Sequence, residues 1–230
     1  MAKERSLILG VCGKARSGKN QFSEYLLEVF EKEYDRLFKT TAFAHKLKQM
    51  CVEHFNLNRD QLWGDKKEEE DDRYPYFIDM YLYPGGPLHW TNRGDPPMRY
   101  WTPREIMQEL GSFYRKVDPD FWVRKVNENW KRQDCPDVII TDVRHINECE
   151  YVKEKGVLIR VVREDADKIH GMDHESETAL DVKDSDYFDI EVYNDKTLED
   201  LKKAAIHVAK MVLEIIDVRK KWREHYGEER

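Results

Sequence analysis

The chain alternates between short unbroken apolar runs and longer stretches where apolar residues recur every three or four positions. Leu7-Ile8-Leu9-Gly10-Val11-Cys12 is the first run, and it predicts a strand covered on both faces. From Lys19 to Glu33, Phe22, Leu26, Val29 and Phe30 fall at helical spacing and predict one buried helix face. A short strand is expected near Phe38 to Phe43. A helix from His45 to Phe55 follows, with Leu47, Met50, Cys51 and His54 on one side. Thr102-Pro103-Arg104-Glu105 has the form of a helix start: an N-cap Thr, Pro at the first helical position and Glu at the capping-box position. That helix carries Ile106, Met107 and Leu110 and is expected to stop at Gly111. Asp118-Pro119-Asp120 opens another, with Phe121, Trp122, Val126 and Trp130 apolar. Asp137 to Thr141 predicts a buried strand ending at Asp142, Asn147 to Lys155 a helix ending at Gly156, and Val157 to Val162 a central strand. Phe188 to Tyr193 is the last strand candidate. Thr197 then opens a long helix with Leu201, Ala205, Val208, Val212 and Ile216 apolar.

Strands alternating with helices imply right-handed crossovers and a mostly parallel sheet with helices on both faces, an α/β fold. Ligands of such sheets sit at the carboxyl ends of the strands. The loop from Gly13, Asp142-Val143-Arg144 and Asn194-Asp195 all fall there. Residues 1–230 are expected to form a single domain. Residues 60–103 break the alternation and are expected to form an inserted hairpin or substrate-side subdomain. Lys66 to Arg73 is a charge run, the pattern of a solvated face. Beyond it, Tyr74 to Tyr83 and Leu88-His89-Trp90 flank Pro84-Gly85-Gly86-Pro87, which suggests a hairpin. Its aromatics fit a surface hairpin and a base-contacting role equally.

Composition narrows the classes. Of 230 residues, 40% are hydrophobic and 37% charged, enough apolar content for a core beneath a heavily solvated surface. The net charge of −7 gives no global drive toward nucleic acid or an anionic membrane, so neither is an expected partner. No apolar run approaches the roughly 20 residues of a membrane span. No signal-type apolar segment follows Met1 to Arg5, so a cytoplasmic setting is expected. Cys12, Cys51, Cys135 and Cys149 form no C-x-x-C pair, which fits reduced thiols.

The candidate chemistry begins at Gly13-Lys14-Ala15-Arg16-Ser17-Gly18-Lys19-Asn20. A glycine-bracketed turn between a buried strand and a helix is what a phosphate-cradling loop requires. Its backbone N–H groups and the helix N-terminus favour an anion, and Lys19 adds a mobile charge. Asn20 stands where a Ser or Thr hydroxyl usually meets Mg2+. Asp142 at a strand end has two open readings: a carboxylate that organises Mg2+, or a cap or turn residue. Arg144 suits an anion clamp. Arg104 sits in a first helical turn, where the dipole disfavours a cation, so an oxyanion partner would explain it. Gln108 lies one turn further along that face and suits a base edge or ribose. Trp122 fits a core anchor and Arg124 a second phosphate ligand. His174-Glu175-Ser176-Glu177 lies in a polar stretch, and residues 163–185 are read as a lid carrying Arg163, Lys168 and His174.

These marks resemble the bacteriophage deoxynucleoside monophosphate kinases, a branch of the P-loop kinase superfamily, and the layout is also similar to animal-type phosphomevalonate kinases. The resemblance rests on the Gly13 to Asn20 loop, Phe43-Ala44-His45-Lys46-Leu47-Lys48, Thr102-Pro103-Arg104 and Gln108-Glu109-Leu110-Gly111. It extends through Asp118 to Trp122, Ile140 to Arg144, His174 to Glu177, and Asn194-Asp195. It implies a P-loop NTPase three-layer sandwich that uses ATP and Mg2+ to phosphorylate deoxynucleoside monophosphates to diphosphates. Lys19 would bind the β- and γ-phosphates with Arg16 and Lys14 in support, and Asn194 would lie near the adenine. Arg104 and Arg144 would hold the acceptor phosphate, Asp142 with Asn20 would serve Mg2+, and His174 and Glu177 would belong to the substrate-side lid. Expected partners are small-molecule nucleotides, with a homodimer left open and the cytoplasm (of the host, if phage-encoded) as compartment. A phosphomevalonate-type kinase, another small-molecule kinase and a nucleotide-binding regulatory protein are the competing readings.

Overall fold

The computed structural model describes residues 6–76, 99–164, 180 and 187–227. Two compact units divide the chain: residues 1–43 with 122–230, and residues 44–121.

The first unit is built on a five-stranded sheet in the order β2-β5-β1-β6-β7, where β1 is Ile8–Cys12, β2 Lys39–Thr41, β5 Val138–Val143, β6 Gly156–Val162 and β7 Ile190–Tyr193. Every pairing in it is parallel. Strand β1 lies between β5 and β6, with Ile8 opposite both Val138 and Gly156. The chain leaves β1 to one side and later crosses to the other, so β1 is the point where strand order reverses. In open α/β sheets the ligand crevice lies outside the carboxyl end of that point.

Alternation along β1 separates the two helical layers. Leu9 and Val11 join one apolar cluster with Phe22, Leu26 and Phe30 of α1 (Lys19–Tyr34) and Leu201, Ala205, Val208 and Val212 of the terminal helix Leu198–Tyr226. Gly10 faces the other way. A Cβ there would stand 2.7 Å from Cγ2 of Val152, in the helix Ile146–Lys155. Helices thus cover both faces, as the unbroken apolar strands require. At the amino end of the sheet, Asp137 accepts from the Leu7 N–H at 2.6 Å and from Nε of Arg36 at 2.5 Å. This joins the entries of β1 and β5 to the exit of α1.

The second unit contains α2 (Ala44–Phe55), α3 (Arg59–Leu62), a 3-10 turn at Asp65–Glu68, the two-residue strands β3 (Pro75–Tyr76) and β4 (Arg99–Tyr100), and α4 (Pro103–Val117). Cys51, Leu57, Leu62 and Ile106 form its core, with Leu47, Phe55, Tyr74, Trp101, Met107 and Leu110 packed around them. His54, expected on the buried side of α2, is exposed. The α4 start follows the sequence: Thr102 caps, Pro103 leads, and Glu105 accepts from the Thr102 N–H at 2.9 Å. Its end does not. The helix runs through Gly111 to Val117, because that glycine serves packing: a Cβ there would sit 3.3 Å from Cδ2 of Leu47. The ribbon pairs Pro75 with Tyr100 and Tyr76 with Arg99 in antiparallel register. The intervening Pro/Gly turn and its aromatics lie outside the described residues. The remaining helices, in chain order, are α5 (Phe121–Arg132), α6 (Ile146–Lys155) and α7 (Leu198–Tyr226).

The charge run is not a purely solvated face. Asp71 within it is 7% exposed. Its carboxylate accepts from Nε2 of Gln61 at 2.7 Å and from Nε and Nη2 of Arg73 at 2.8 and 2.5 Å. Its N–H donates to the Trp101 carbonyl at 3.0 Å, so one residue joins α3 to the strand before α4. The Arg73 guanidinium holds the carboxyl at about 2, below its ordinary value of 3.8. A carboxyl depressed in the fold stabilises it above the unfolded-state value, and that stabilisation is lost as pH falls toward 2. Thermal unfolding from pH 5 to 2 is expected to show about 2 kcal/mol of acid destabilisation traceable to this group. In Asp71→Asn that share of the pH dependence disappears; an unchanged acid profile would remove Asp71 from the account.

Candidate active site

The loop between β1 and α1 has a shape other residues could not hold. Gly13 has φ +149, and a Cβ on it would lie 2.4 Å from the Val161 carbonyl oxygen and 2.7 Å from Ser17 Oγ. Gly18 has φ +91, and a Cβ on it would lie 2.2 Å from Nδ2 of Asn194. Both positions combine a left-handed or neighbouring conformation with filled space, so only glycine fits. Between them Arg16 is exposed, in the left-handed region at φ +62, and Lys14 and Ala15 are half-buried. The turn closes through the Ser17 N–H, which donates to the Lys14 carbonyl at 3.2 Å. Ser17 Oγ is buried and has no hydrogen-bond partner among the described residues.

Helix α1 begins where the loop ends. Gly18 supplies no side-chain cap, and the first turn carries no acidic residue. The start of α1 thus keeps the positive end of its dipole without an internal carboxylate. Lys19 is 8% exposed, and its Nζ donates to the Lys14 carbonyl at 3.1 Å. The ammonium therefore lies along the loop. Asn20, one residue on, is exposed. Cys12, just before the loop, has its thiol pushed up to about 12 by burial, so it stays neutral and is no nucleophile.

Asp142 is the penultimate residue of β5, level with the end of β1 where the loop begins, because Cys12 and Val143 are paired on adjacent parallel strands. Its Oδ1 accepts from the Phe43 N–H at 2.7 Å, tying β5 to the segment after β2. The turn reading of this residue therefore has a visible partner. The next turn is fixed by Glu148, which is 4% exposed. Its Oε2 accepts from the N–H groups of Arg144 and His145 at 2.7 and 3.1 Å. Arg144 is thus a half-buried side chain on a backbone held from below. Sequence reasoning missed Glu148. The signal was a Glu at the third helical position, obscured because His145 rather than Ser or Thr precedes the helix.

Asn194 follows β7. Its N–H donates to the Val162 carbonyl at 2.8 Å, and its Nδ2 donates to the Ser17 carbonyl at 2.8 Å. Trp122 is 3% exposed and packs inside, while Arg124 two residues later is exposed. In the second unit, Arg104 donates from Nε to the carboxylate of Glu68, in the 3-10 turn, and Gln108 is half-buried one turn on. The oxyanion that the position of Arg104 called for is thus supplied here by the chain itself. His174, Glu177 and Lys168 lie outside the described residues, as does most of the 163–185 segment; Arg163 is exposed.

The site residues suit the groups a kinase uses. The two glycines let the loop pack closely on Val161 and Asn194, and the buried Ser17 hydroxyl has no partner among the described residues. Asp142 and Asn20 offer oxygen donors, the chemistry Mg2+ prefers. No group of three or more His, Cys, Asp or Glu that could hold a metal occurs among the described residues. Mg2+ here would draw its other ligands from phosphates and water.

A family model for deoxynucleotide monophosphate kinase matches residues 92–205. A protein of Acanthamoeba polyphaga mimivirus named "Putative deoxynucleotide monophosphate kinase" is 28% identical, over 84% of this chain and 91% of its own length. Over these residues the chain is similar to the deoxynucleotide monophosphate kinases. Among solved structures, the shikimate kinase of Aquifex aeolicus covers 89% of this kinase and 96% of its own chain, at 11% identity and a TM-score of 0.37. The architecture of the kinase stands on its own parallel sheet and loop. No helix among the described residues is long and apolar enough to cross a membrane.

Proposed function

We propose that this kinase moves the γ-phosphoryl group of ATP onto the phosphate of a deoxynucleoside monophosphate, releasing the diphosphate and ADP. The observation that carries the reading is the loop closed at Gly13 and Gly18, with Lys19 buried against it. Such a loop directs backbone N–H groups and a helix dipole at a phosphate chain. Lys19 exchanges a neutral carbonyl for the β- and γ-phosphates, and Arg16 and Lys14 add charge from the loop. Asp142 and Asn20 would hold Mg2+, which would supply neutralisation of charge on the phosphate oxygens.

Arg104 and Arg144 bind the acceptor phosphate, with Gln108 on the nucleoside. The acceptor oxygen is already ionised, so no strong general base is needed. Positioning and charge neutralisation carry the rate. His174 and Glu177, outside the described residues, are assigned to the substrate side of the same site. The substrates are small nucleotides, and the cytoplasm is where both would be met.

A coupled assay of ADP release over a panel of deoxynucleoside monophosphates tests the reading. Turnover on at least one is expected. Turnover on none would overturn it, and turnover on phosphomevalonate instead would transfer the chain to a different substrate class.

A further inference from the structure

We infer that Asn194 is a positioning residue that sets the shape of the phosphate loop, acting on the phosphate chain of the donor through Ser17 and Gly18 rather than on the base. This deepens the reading of the loop as the donor site and rests on it.

Three observations converge on the side-chain amide. Nδ2 donates to the Ser17 carbonyl at 2.8 Å. The same atom fills the space a Cβ on Gly18 would take, at 2.2 Å. Asn194 is itself held, because its N–H donates to the Val162 carbonyl at 2.8 Å and the following Asp195 accepts from the Glu164 N–H at 2.9 Å. The ends of β6 and β7 thus form a fixed wall behind the loop. That wall also meets the loop at Gly13, beside the Val161 carbonyl.

A trans peptide is planar, with its C=O and N–H on opposite sides. Fixing the Ser17 carbonyl on Asn194 therefore turns the Gly18 N–H away from Asn194, to the side on which a phosphate would bind. The amide is half-buried and makes one bond to a loop carbonyl, so its removal spares the core. It frees a backbone plane whose orientation the binding of an anion requires.

The test separates phosphate from base. Calorimetric titration of wild type and Asn194→Ala with Mg-ATP and with magnesium tripolyphosphate, which carries no base, is the measurement. Both affinities are expected to fall together by about ten-fold, the loss of one net hydrogen bond, while the KM for the monophosphate stays unchanged. A loss confined to ATP would identify a base contact and overturn the inference. So would equal affinities in the two proteins. A wild type that binds neither probe removes the donor-site reading itself, a failure distinct from the others.

Gly18→Ala supplies a second measurement. Its methyl group meets Nδ2 of Asn194, so in Gly18→Ala/Asn194→Ala the combined loss of tripolyphosphate affinity is expected to be smaller than the product of the single losses. Strict multiplicativity would show that the two residues do not act on each other and would overturn the inference.

Discussion

Lys19→Ala is expected to fold normally and to transfer phosphoryl groups at least about 100–1,000-fold more slowly than wild type. Folding is spared because α1 is anchored by Phe22, Leu26, Val29 and Phe30, all in the apolar cluster beneath the sheet, and not by the lysine. Activity is lost because Lys19 is the buried cation of the loop, whereas Lys14 is half-buried and Arg16 is exposed. The Lys19 ammonium lies on the Lys14 carbonyl, a neutral dipole. A phosphate oxygen carries a formal charge and displaces that contact at an electrostatic gain that grows as the site dries. Since charge spreads over the transferring group's oxygens in the transition state, the loss falls on kcat as well as on donor affinity. Initial rates with the preferred monophosphate, beside a thermal melt, check this. A folded variant within a few-fold of wild type would take the loop out of the chemistry.

The parts of the molecule that were legible in the sequence are those whose cause is local. β1 and the opening runs of β5 and β6 were readable because a strand covered on both faces is apolar at successive positions, polar residues entering only toward the carboxyl ends at Thr141, Asp142 and Arg160. The caps at Thr102 and Thr197 were readable because a hydroxyl and a carboxylate three residues apart satisfy each other's backbone donors. The loop was readable because its two glycines and lysine keep fixed spacing. What escaped were contacts made across the chain. Gly111 resembles a helix stop until Leu47 is placed against it. Asp71 resembles one more solvated charge until Gln61 and Arg73 close on it. Asn194 and Ser17 are 177 positions apart, and nothing in either neighbourhood announces that one holds the other. The resemblance suggested a place for Asn194 near a base, whereas its visible bond is to the loop backbone.

Arg104→Ala is expected to raise the KM for the deoxynucleoside monophosphate by about 10–100-fold, the worth of hydrogen bonds to a charged group, and to leave the KM for ATP within about two-fold. The asymmetry follows from placement. Arg104 is held by Glu68, while the loop closes on its own backbone and on Asn194, so the loss of Arg104 removes none of the bonds seen in the loop. Its partner in the fold is the carboxylate of Glu68, and both side chains are substantially exposed, at 41% and 58%. An exposed pair of this kind adds little to stability, so the melting temperature should barely move. The same pair predicts the opposite sign for Glu68→Gln. A carboxylate and a substrate phosphate compete for one guanidinium, and removing the negative charge of the internal competitor lowers the KM for the monophosphate. Steady-state kinetics on the two variants decide the matter together. Equal effects of Arg104→Ala on both substrates would exclude it from the acceptor site. A rise in KM in both variants would mean that Glu68 orients the arginine for the substrate instead of competing with it.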